Sequence, residues 1–346
     1  MQYVPLKGTN TAMQQGILSV IGNTPLIRLT QVLRDIPFRL YAKLESLNPG
    51  GSTKDRPAYS ILKHGLETGD IKPDTTIIES SSGNMGIGLA QACAYFKLRL
   101  ICVVDPKTTT QNIHLLSSYG AEVDMVLQPD PETGEFLQAR INRVQQLLHQ
   151  TENSFWPNQY ANEYNPIAHH QTMSEIAAAL DNQIDYLFCA TSTCGTIRGC
   201  VEYLREHELS TRIIAVDAKG SVIFGGNKAK RLIPGHGAAM RPRLYQSDLA
   251  DEHLLMTDLD CVVGCRRLVR TEAILVGGSS GAVLMAVDRL KEIIPPDSTC
   301  VVIFADRGER YLDTIYSDEW VSEHFGDVSY LWQGSTEDQK WLAATY

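Results

Sequence analysis

Short, mainly apolar runs alternate with helix-period segments along most of this 346-residue chain. The runs are Phe38–Glu45, Thr75–Glu79, Arg99–Asp105, Glu122–Leu127, Asp185–Ala190, Ile213–Val216 and Cys300–Ala305, rich in Ile, Val, Leu and Tyr. A strand buried on both faces reads this way, because neither face is given over to polar residues. Between the runs, Leu89, Ala92, Cys93 and Phe96 recur at helical spacing, as do Ile197, Cys200, Val201 and Leu204. Leu137, Ile141, Val144 and Leu148 form a similar face. Such stripes belong on helices that lie against a sheet. The alternation predicts an α/β fold of open, mainly parallel sheets covered by helices.

At this length two sheets are expected rather than one. The strand–helix run from Thr75 to about Gln150 predicts a smaller unit, residues 55–150, set against a larger one built from residues 1–54 and 151–346. Gly225–Arg243 carries Gly, Pro and basic residues without periodicity and reads as a long, functional loop. The tail beyond Gly326 is polar with scattered aromatics. A formal net charge of −9 argues against nucleic acid or an acidic membrane surface as a partner. No apolar stretch reaches spanning length, and Met1–Gly16 lacks the apolar core of a signal peptide, so a cytoplasmic protein is expected. The eight cysteines form no C-x-x-C pair, and no metal-ligand set is expected. They read as small buried hydrophobes in a reducing compartment, with Cys194 set apart by its place in a glycine-containing loop.

In open α/β folds, ligands bind where strands end and helices begin. Four such junctions are unusual here. In Asn48-Pro49-Gly50-Gly51-Ser52-Thr53-Lys54-Asp55-Arg56-Pro57, flexible glycines lead into Ser and Thr that can cap a helix, with Lys54 in its first turn. The positive helix end disfavours an ammonium there, which suits a Schiff-base lysine whose pKa must fall. An ordinary surface lysine meets the spacing equally well. Glu79-Ser80-Ser81-Ser82-Gly83-Asn84-Met85-Gly86 follows a strand and makes an anion cradle, with Asn84 adding an amide donor. Plain serine capping is the alternative, although it needs only one such residue. Ser192-Thr193-Cys194-Gly195-Thr196 is a second cradle, suited to a phosphate but not a Walker loop. Gly277-Gly278-Ser279-Ser280-Gly281 on its own reads more simply as a turn plus cap.

Taken together, these segments resemble fold-type II pyridoxal-phosphate (PLP) enzymes of the cysteine synthase and cystathionine β-synthase family. The resemblance runs from Ile21-Gly22-Asn23-Thr24-Pro25-Leu26 to Gly308-Glu309-Arg310-Tyr311-Leu312. It implies two three-layer sheets with a PLP site in the cleft between them, and a homodimer. It implies that Lys54 carries PLP and that Ser192, Thr193, Cys194, Gly195 and Thr196 hold the phosphate. Asn84 would face the ring oxygen and Ser279 the ring nitrogen. Ser81, Ser82 and Gln159, the last within Asn158-Gln159-Tyr160-Ala161-Asn162, would hold the substrate carboxylate.

Several positions depart from the cysteine synthases of the family. Met85 stands where they carry Thr, and the phosphate loop reads Ser-Thr-Cys-Gly-Thr in place of Gly-Thr-Gly-Gly-Thr. Asp105-Pro106-Lys107, Asp217–Gly225 and Asp306-Arg307-Gly308 also differ. These departures resemble a branch that joins O-phospho-L-serine to L-glutamate on the route to 2,3-diaminopropionate and a siderophore. The small-molecule substrates would then both be amino acids. Glutamate brings carboxylates, so cationic or hydroxyl groups should face it. Arg140 and Tyr160 are the first candidates, although an exposed helix-face arginine would explain Arg140 equally well. Lys107, Lys219 and Arg307 are weaker candidates. Cysteine synthesis from sulfide is the competing activity, and a catalytically silent binding protein is a competing class that Lys54, Asn84 and Ser279 count against.

Overall fold

The structure, a computed structural model, describes residues 16–333. Apart from Gly16, the polar N-terminal stretch lies outside the described residues, as does the tail beyond Gln333. The chain opens with β1 (Leu26–Leu29) and β2 (Arg39–Leu44), then turns through Asn48–Lys54 into α1 (Asp55–Thr68). Next come β3 (Thr76–Ser80), α2 (Asn84–Phe96), β4 (Arg99–Val104) and α3 (Thr110–Ser118). β5 (Glu122–Met125), α4 (Phe136–Gln150) and β6 (Ser154–Phe155) complete this stretch. α5 (Tyr164–Ala179), β7 (Tyr186–Ala190), α6 (Gly195–Glu206) and β8 (Arg212–Ala218) follow. A loop then leads to β9 (Glu252–Met256), α7 (Asp258–Glu272), α8 (Gly278–Leu290) and β10 (Thr299–Phe304). Two short helices, α9 (Asp318–Phe325) and α10 (Tyr330–Gln333), close the described chain.

Two sheets result, one ordered β1-β2-β10-β7-β8-β9 and the other β5-β4-β3-β6. Every pairing is parallel except β1 with β2. The smaller sheet takes its last strand from Ser154–Phe155, just past residue 150. Each sheet is covered on both faces. Along β10, Val302 and Phe304 pack with α8 residues Val283 and Leu284, whereas Val301 and Ile303 pack with Met173 and Ile197 from α5 and α6. This is the two-residue period of a strand buried on both sides. In the smaller sheet, Ile77 and Leu100 meet Ile61 and Leu89, while Ile78 and Val103 meet Val144 and Leu147. Each such fully buried aliphatic side chain stabilises the fold by about 1.5–3 kcal/mol. The molecule is therefore an α/β protein of two three-layer sheets.

All eight cysteines are free and buried. Among the described residues no helix is long and apolar enough to cross a membrane. Residues 219–251 carry no regular element, in keeping with the loop expected there.

A buried ionic cluster anchors the Asn48–Lys54 turn. Arg56 Nε lies 2.7 Å from Glu45 Oε2, and Arg56 Nη2 lies 2.7 Å from Glu175 Oε2. Lys43 Nζ reaches the same Glu175 oxygen at 2.5 Å. Glu45 also accepts from Thr24 Oγ1 at 2.6 Å and from Asn48 Nδ2 at 2.9 Å, and Asn48 Oδ1 accepts from the Gly22 N–H at 2.8 Å. The Gly-Asn-Thr stretch and the lysine turn are thus fastened to one charge network.

Candidate active site

Lys54 is the N-cap of α1 rather than a residue of its first turn, and it has helical φ and ψ. The chain reaches it through Gly51, whose φ of +86° is a conformation that glycine adopts freely. Asp55 accepts the Gly50 N–H at 2.5 Å, and a Cβ at Gly50 would lie 2.6 Å from that carboxylate. The Lys54 side chain is partly buried and has no hydrogen bond or ion pair among the described residues. Burial lowers its pKa to about 8. A surface lysine would show neither feature.

At the start of α2 the N-cap is Gly83, which offers no side chain. The serines serve other groups. Ser81 Oγ accepts the Gly86 N–H at 2.9 Å. Ser82 Oγ accepts from Arg140 Nη1 at 3.2 Å, and Arg140 Nε lies 3.3 Å from Asp105 Oδ2. Arg140 is thus not an exposed helix-face residue: its side chain is 12% exposed and reaches across to the serine loop.

Behind these serines sits Glu79, buried at the end of β3. Its carboxylate accepts from the N–H of Ser80 at 2.8 Å, Trp156 Nε1 at 3.2 Å and the N–H of Gln159 at 3.3 Å. Burial raises its pKa to about 7 despite these donors. Glu79 therefore holds Gln159 beside the serine loop. Asn165 Nδ2 then donates to Gln159 O at 2.7 Å and to Thr193 Oγ1 at 3.3 Å, joining Gln159 to the third junction. Tyr160 follows; its carbonyl accepts the Leu244 N–H at 3.3 Å, and burial raises its pKa.

In the third junction Cys194 is the N-cap of α6, with φ +66° and no side-chain cap. Its thiol is buried, its pKa pushed up to about 12, so it stays neutral. Gly195 N–H donates to Thr193 Oγ1 at 3.3 Å. A Cβ at Gly195 would fall 2.1 Å from Asn165 Oδ1, so only glycine lets the loop pack here. Thr196 Oγ1 bonds with His169 Nε2 at 3.2 Å, and Ser192 Oγ donates to Gly237 O at 3.3 Å.

The fourth junction follows an isolated bridge at Val276 rather than a strand. Gly277 is the N-cap of α8, and no side chain caps it. Ser280 Oγ accepts the Ala305 N–H at 3.0 Å, whereas the side chain of the partly buried Ser279 has no hydrogen bond among the described residues. Structural bonding thus falls to Ser280 and leaves the Ser279 hydroxyl available.

The end of β10 gathers these pieces. Thr53 N–H donates to Ala305 O at 2.7 Å, Arg307 N–H to Gly51 O at 3.2 Å, and Gly277 N–H to Asp306 O at 3.2 Å. Asn84 Nδ2 comes from the smaller sheet to donate to Asp306 Oδ2 at 2.8 Å. Lys54, Asn84 and the Ser279 turn thus meet at one strand end. Lys107, Lys219 and Arg307 are exposed; Lys107 Nζ lies over the Phe136 ring and Arg307 Nε donates to Ser46 O. Sequence reasoning gave no role to Glu79, Asn165, Asp306 or Arg310. Asp306 had a signal, a charge directly after an apolar strand run, where ligands gather in open sheets.

Known proteins share this fold. The profile of one family, described as pyridoxal-phosphate dependent enzyme, matches residues 17–306. The chain is 44% identical over 309 residues to N-(2-amino-2-carboxyethyl)-L-glutamate synthase of Ralstonia nicotianae, covering 89% of this chain and 91% of that one. It superposes on O-acetylserine dependent cystathionine β-synthase of Helicobacter pylori with TM-score 0.82 and 32% identity, covering 89% of this chain and 100% of that one. Cysteine synthase of Entamoeba histolytica gives TM-score 0.83 and 31% identity over 91% of this chain and 94% of that one.

Proposed function

Because the chain belongs to the family of pyridoxal-phosphate dependent enzymes, we propose that it exchanges the phosphate of O-phospho-L-serine for the amino nitrogen of L-glutamate. The products are N-(2-amino-2-carboxyethyl)-L-glutamate and phosphate. The observation that carries this choice of substrates is the 44% identity, over nearly the whole length of both chains, to a synthase named for that product. The reading includes a place on the route to 2,3-diaminopropionate and a siderophore, a homodimer, a cytoplasmic location, and residues 55–150 as the smaller, moving unit.

The residues fit the cofactor. PLP needs an amine for its aldehyde, a donor for its ring oxygen, a partner for its ring nitrogen and a cradle for its phosphate. Lys54 offers an amine whose pKa burial has lowered. Ser279 offers a hydroxyl with no partner among the described residues. The first turn of α6, whose N-cap Cys194 makes no side-chain cap, offers N–H groups for phosphate beside Ser192–Thr196. Asn84 offers its amide. When bound, the cofactor supplies an electron sink for the bond changes at the substrate.

The chain's own residues do the rest. Ser81, Ser82 and Gln159 hold the carboxylate of the phosphoserine. Lys54 Nζ takes the proton from Cα, the Cβ–O bond breaks, and phosphate leaves. The acceptor nitrogen bonds to Cβ, and Nζ returns a proton to Cα. Ser279, a hydroxyl rather than a carboxylate, leaves the ring nitrogen without a fixed positive charge, which favours elimination over transamination. Arg140 and Tyr160 face the glutamate carboxylates. Arg140 is already paired with Asp105, which restrains its guanidinium in one orientation.

Mass identification of the product tests the reading. Purified enzyme with O-phospho-L-serine and glutamate should release phosphate and form the coupled diamino acid. Rapid conversion with sulfide and none with glutamate would replace this reading with cysteine synthesis.

A further inference from the structure

Asp306 stands at the end of β10 and is 2% exposed. Its Oδ2 accepts two hydrogen bonds, from Asn84 Nδ2 at 2.8 Å and from the Tyr311 hydroxyl at 2.6 Å. Its Oδ1 is enclosed and unpartnered among the described residues. A Cβ added at Gly277 would lie 2.1 Å from that oxygen, so the carboxylate fills the space against the α8 N-cap. The other end of the Asn84 amide is engaged too, because Arg310 Nη1 donates to Asn84 Oδ1. Arg310 Nη2 is held in turn by Gly50 O at 2.5 Å, within the turn that leads to Lys54.

Chemistry leaves this amide one orientation. A guanidinium only donates and an ionised carboxylate only accepts. A flipped Asn84 would set its NH2 against the guanidinium and its C=O against the carboxylate. Both bonds would be lost and a buried carboxylate oxygen would keep only one of its two donors, the Tyr311 hydroxyl. Asn84 Nδ2 carries two hydrogens, and Asp306 takes one of them. We propose that Asp306 and Arg310 are positioning residues that fix the Asn84 amide so that its remaining N–H, never its carbonyl, is presented to the ring oxygen of the cofactor. This rests on the reading above that Asn84 serves that oxygen. The same contacts tie the start of α2 to the end of β10, which links the two sheets at the site.

The test is made on holoenzyme. The ratio of the bound cofactor's two near-ultraviolet and visible absorption bands reports hydrogen bonding at its ring oxygen, independently of turnover. Asn84→Ala should change that ratio by about fivefold, as expected for one net hydrogen bond. Asp306→Ala should change it in the same direction, and the double variant should go no further. Asp306→Asn keeps an oxygen that can accept from Asn84 and Tyr311, so it should recover most of the wild-type ratio. A merely structural role for Asp306 would lower the unfolding midpoint in both Asp306 variants and leave the bands alone. Should Asp306→Ala fail to fold, Arg310→Met, at a partly exposed side chain, should still shift the ratio. A wild-type ratio in Asp306→Ala or Arg310→Met beside a changed one in Asn84→Ala overturns the proposal and leaves the placement of Asn84 intact. An unchanged ratio in Asn84→Ala overturns that placement and the proposal with it.

Discussion

Lys54 is set apart by its surroundings: a partly buried amine with no carboxylate among the described residues to hold its proton. With its pKa at about 8, roughly a tenth of it is free amine at pH 7, against less than about a thousandth for an ordinary lysine. The free form is the nucleophile, and for a lowered lysine pKa that form accumulates as pH rises through the folded value. Cofactor uptake by the apo-enzyme should therefore rise about tenfold per pH unit below pH 8 and level off above it. Stopped-flow absorbance from pH 6 to 10 would show this, and a rate still climbing at pH 10 would contradict it. Arg140 permits a second separation. Arg140→Ala should leave the release of phosphate from O-phospho-L-serine intact, while coupling to glutamate slows by tenfold or more, about 1.4 kcal/mol in barrier. Equal losses in both steps would mean that Arg140 acts through Ser82, to which it donates, and not on the acceptor.

At the scale of elements, the site is a set of helix starts docked on strand ends. The start of α6 depends on the absence of a side chain at Gly195, where a Cβ would strike Asn165 Oδ1. Gly195→Ala should push Asn165 off both Gln159 and Thr193 and lower retention of the cofactor by tenfold or more, about 1.4 kcal/mol. Dialysis followed by absorbance would measure it. The same elements show what a sequence can disclose. β4, β7 and β10 were legible because strands buried on both faces form nearly continuous apolar runs. β1, β6 and β9 were not: each lies at a sheet edge, β6 has only two residues, and β9 alternates in burial. The four junctions were legible because glycine and hydroxyl residues cluster there for backbone reasons. Asp306 was legible only as a charge after an apolar run and Arg310 not at all, because the partner of both is Asn84, more than two hundred residues earlier. For Arg140, spacing could not tell an exposed face from one turned toward Ser82; only the packing of α4 decides.

The whole molecule rests on charges buried together. Glu45 and Arg56 are nearly inaccessible, and each satisfies the other. Arg56→Ala would strand Glu45 without its counter-ion and should cost about 3–5 kcal/mol of stability, seen as a lower urea midpoint. Removing both charges, with Glu45→Gln and Arg56→Met, should cost less than Arg56→Ala alone. The order of strands carries a further consequence, in time. β2, from residues 39–44, lies directly beside β10, from residues 299–304. On the ribosome the first of these strands waits for about 260 more residues, roughly 13 to 52 s at 5–20 residues per second. Thr53 waits equally long for the carbonyl of Ala305. During that interval β2 lacks its inner neighbour and the lysine turn lacks its anchor. A nascent chain therefore cannot close the lysine turn before Ala305 has been made, and until then the early hairpin of β1 and β2 carries one unpaired edge.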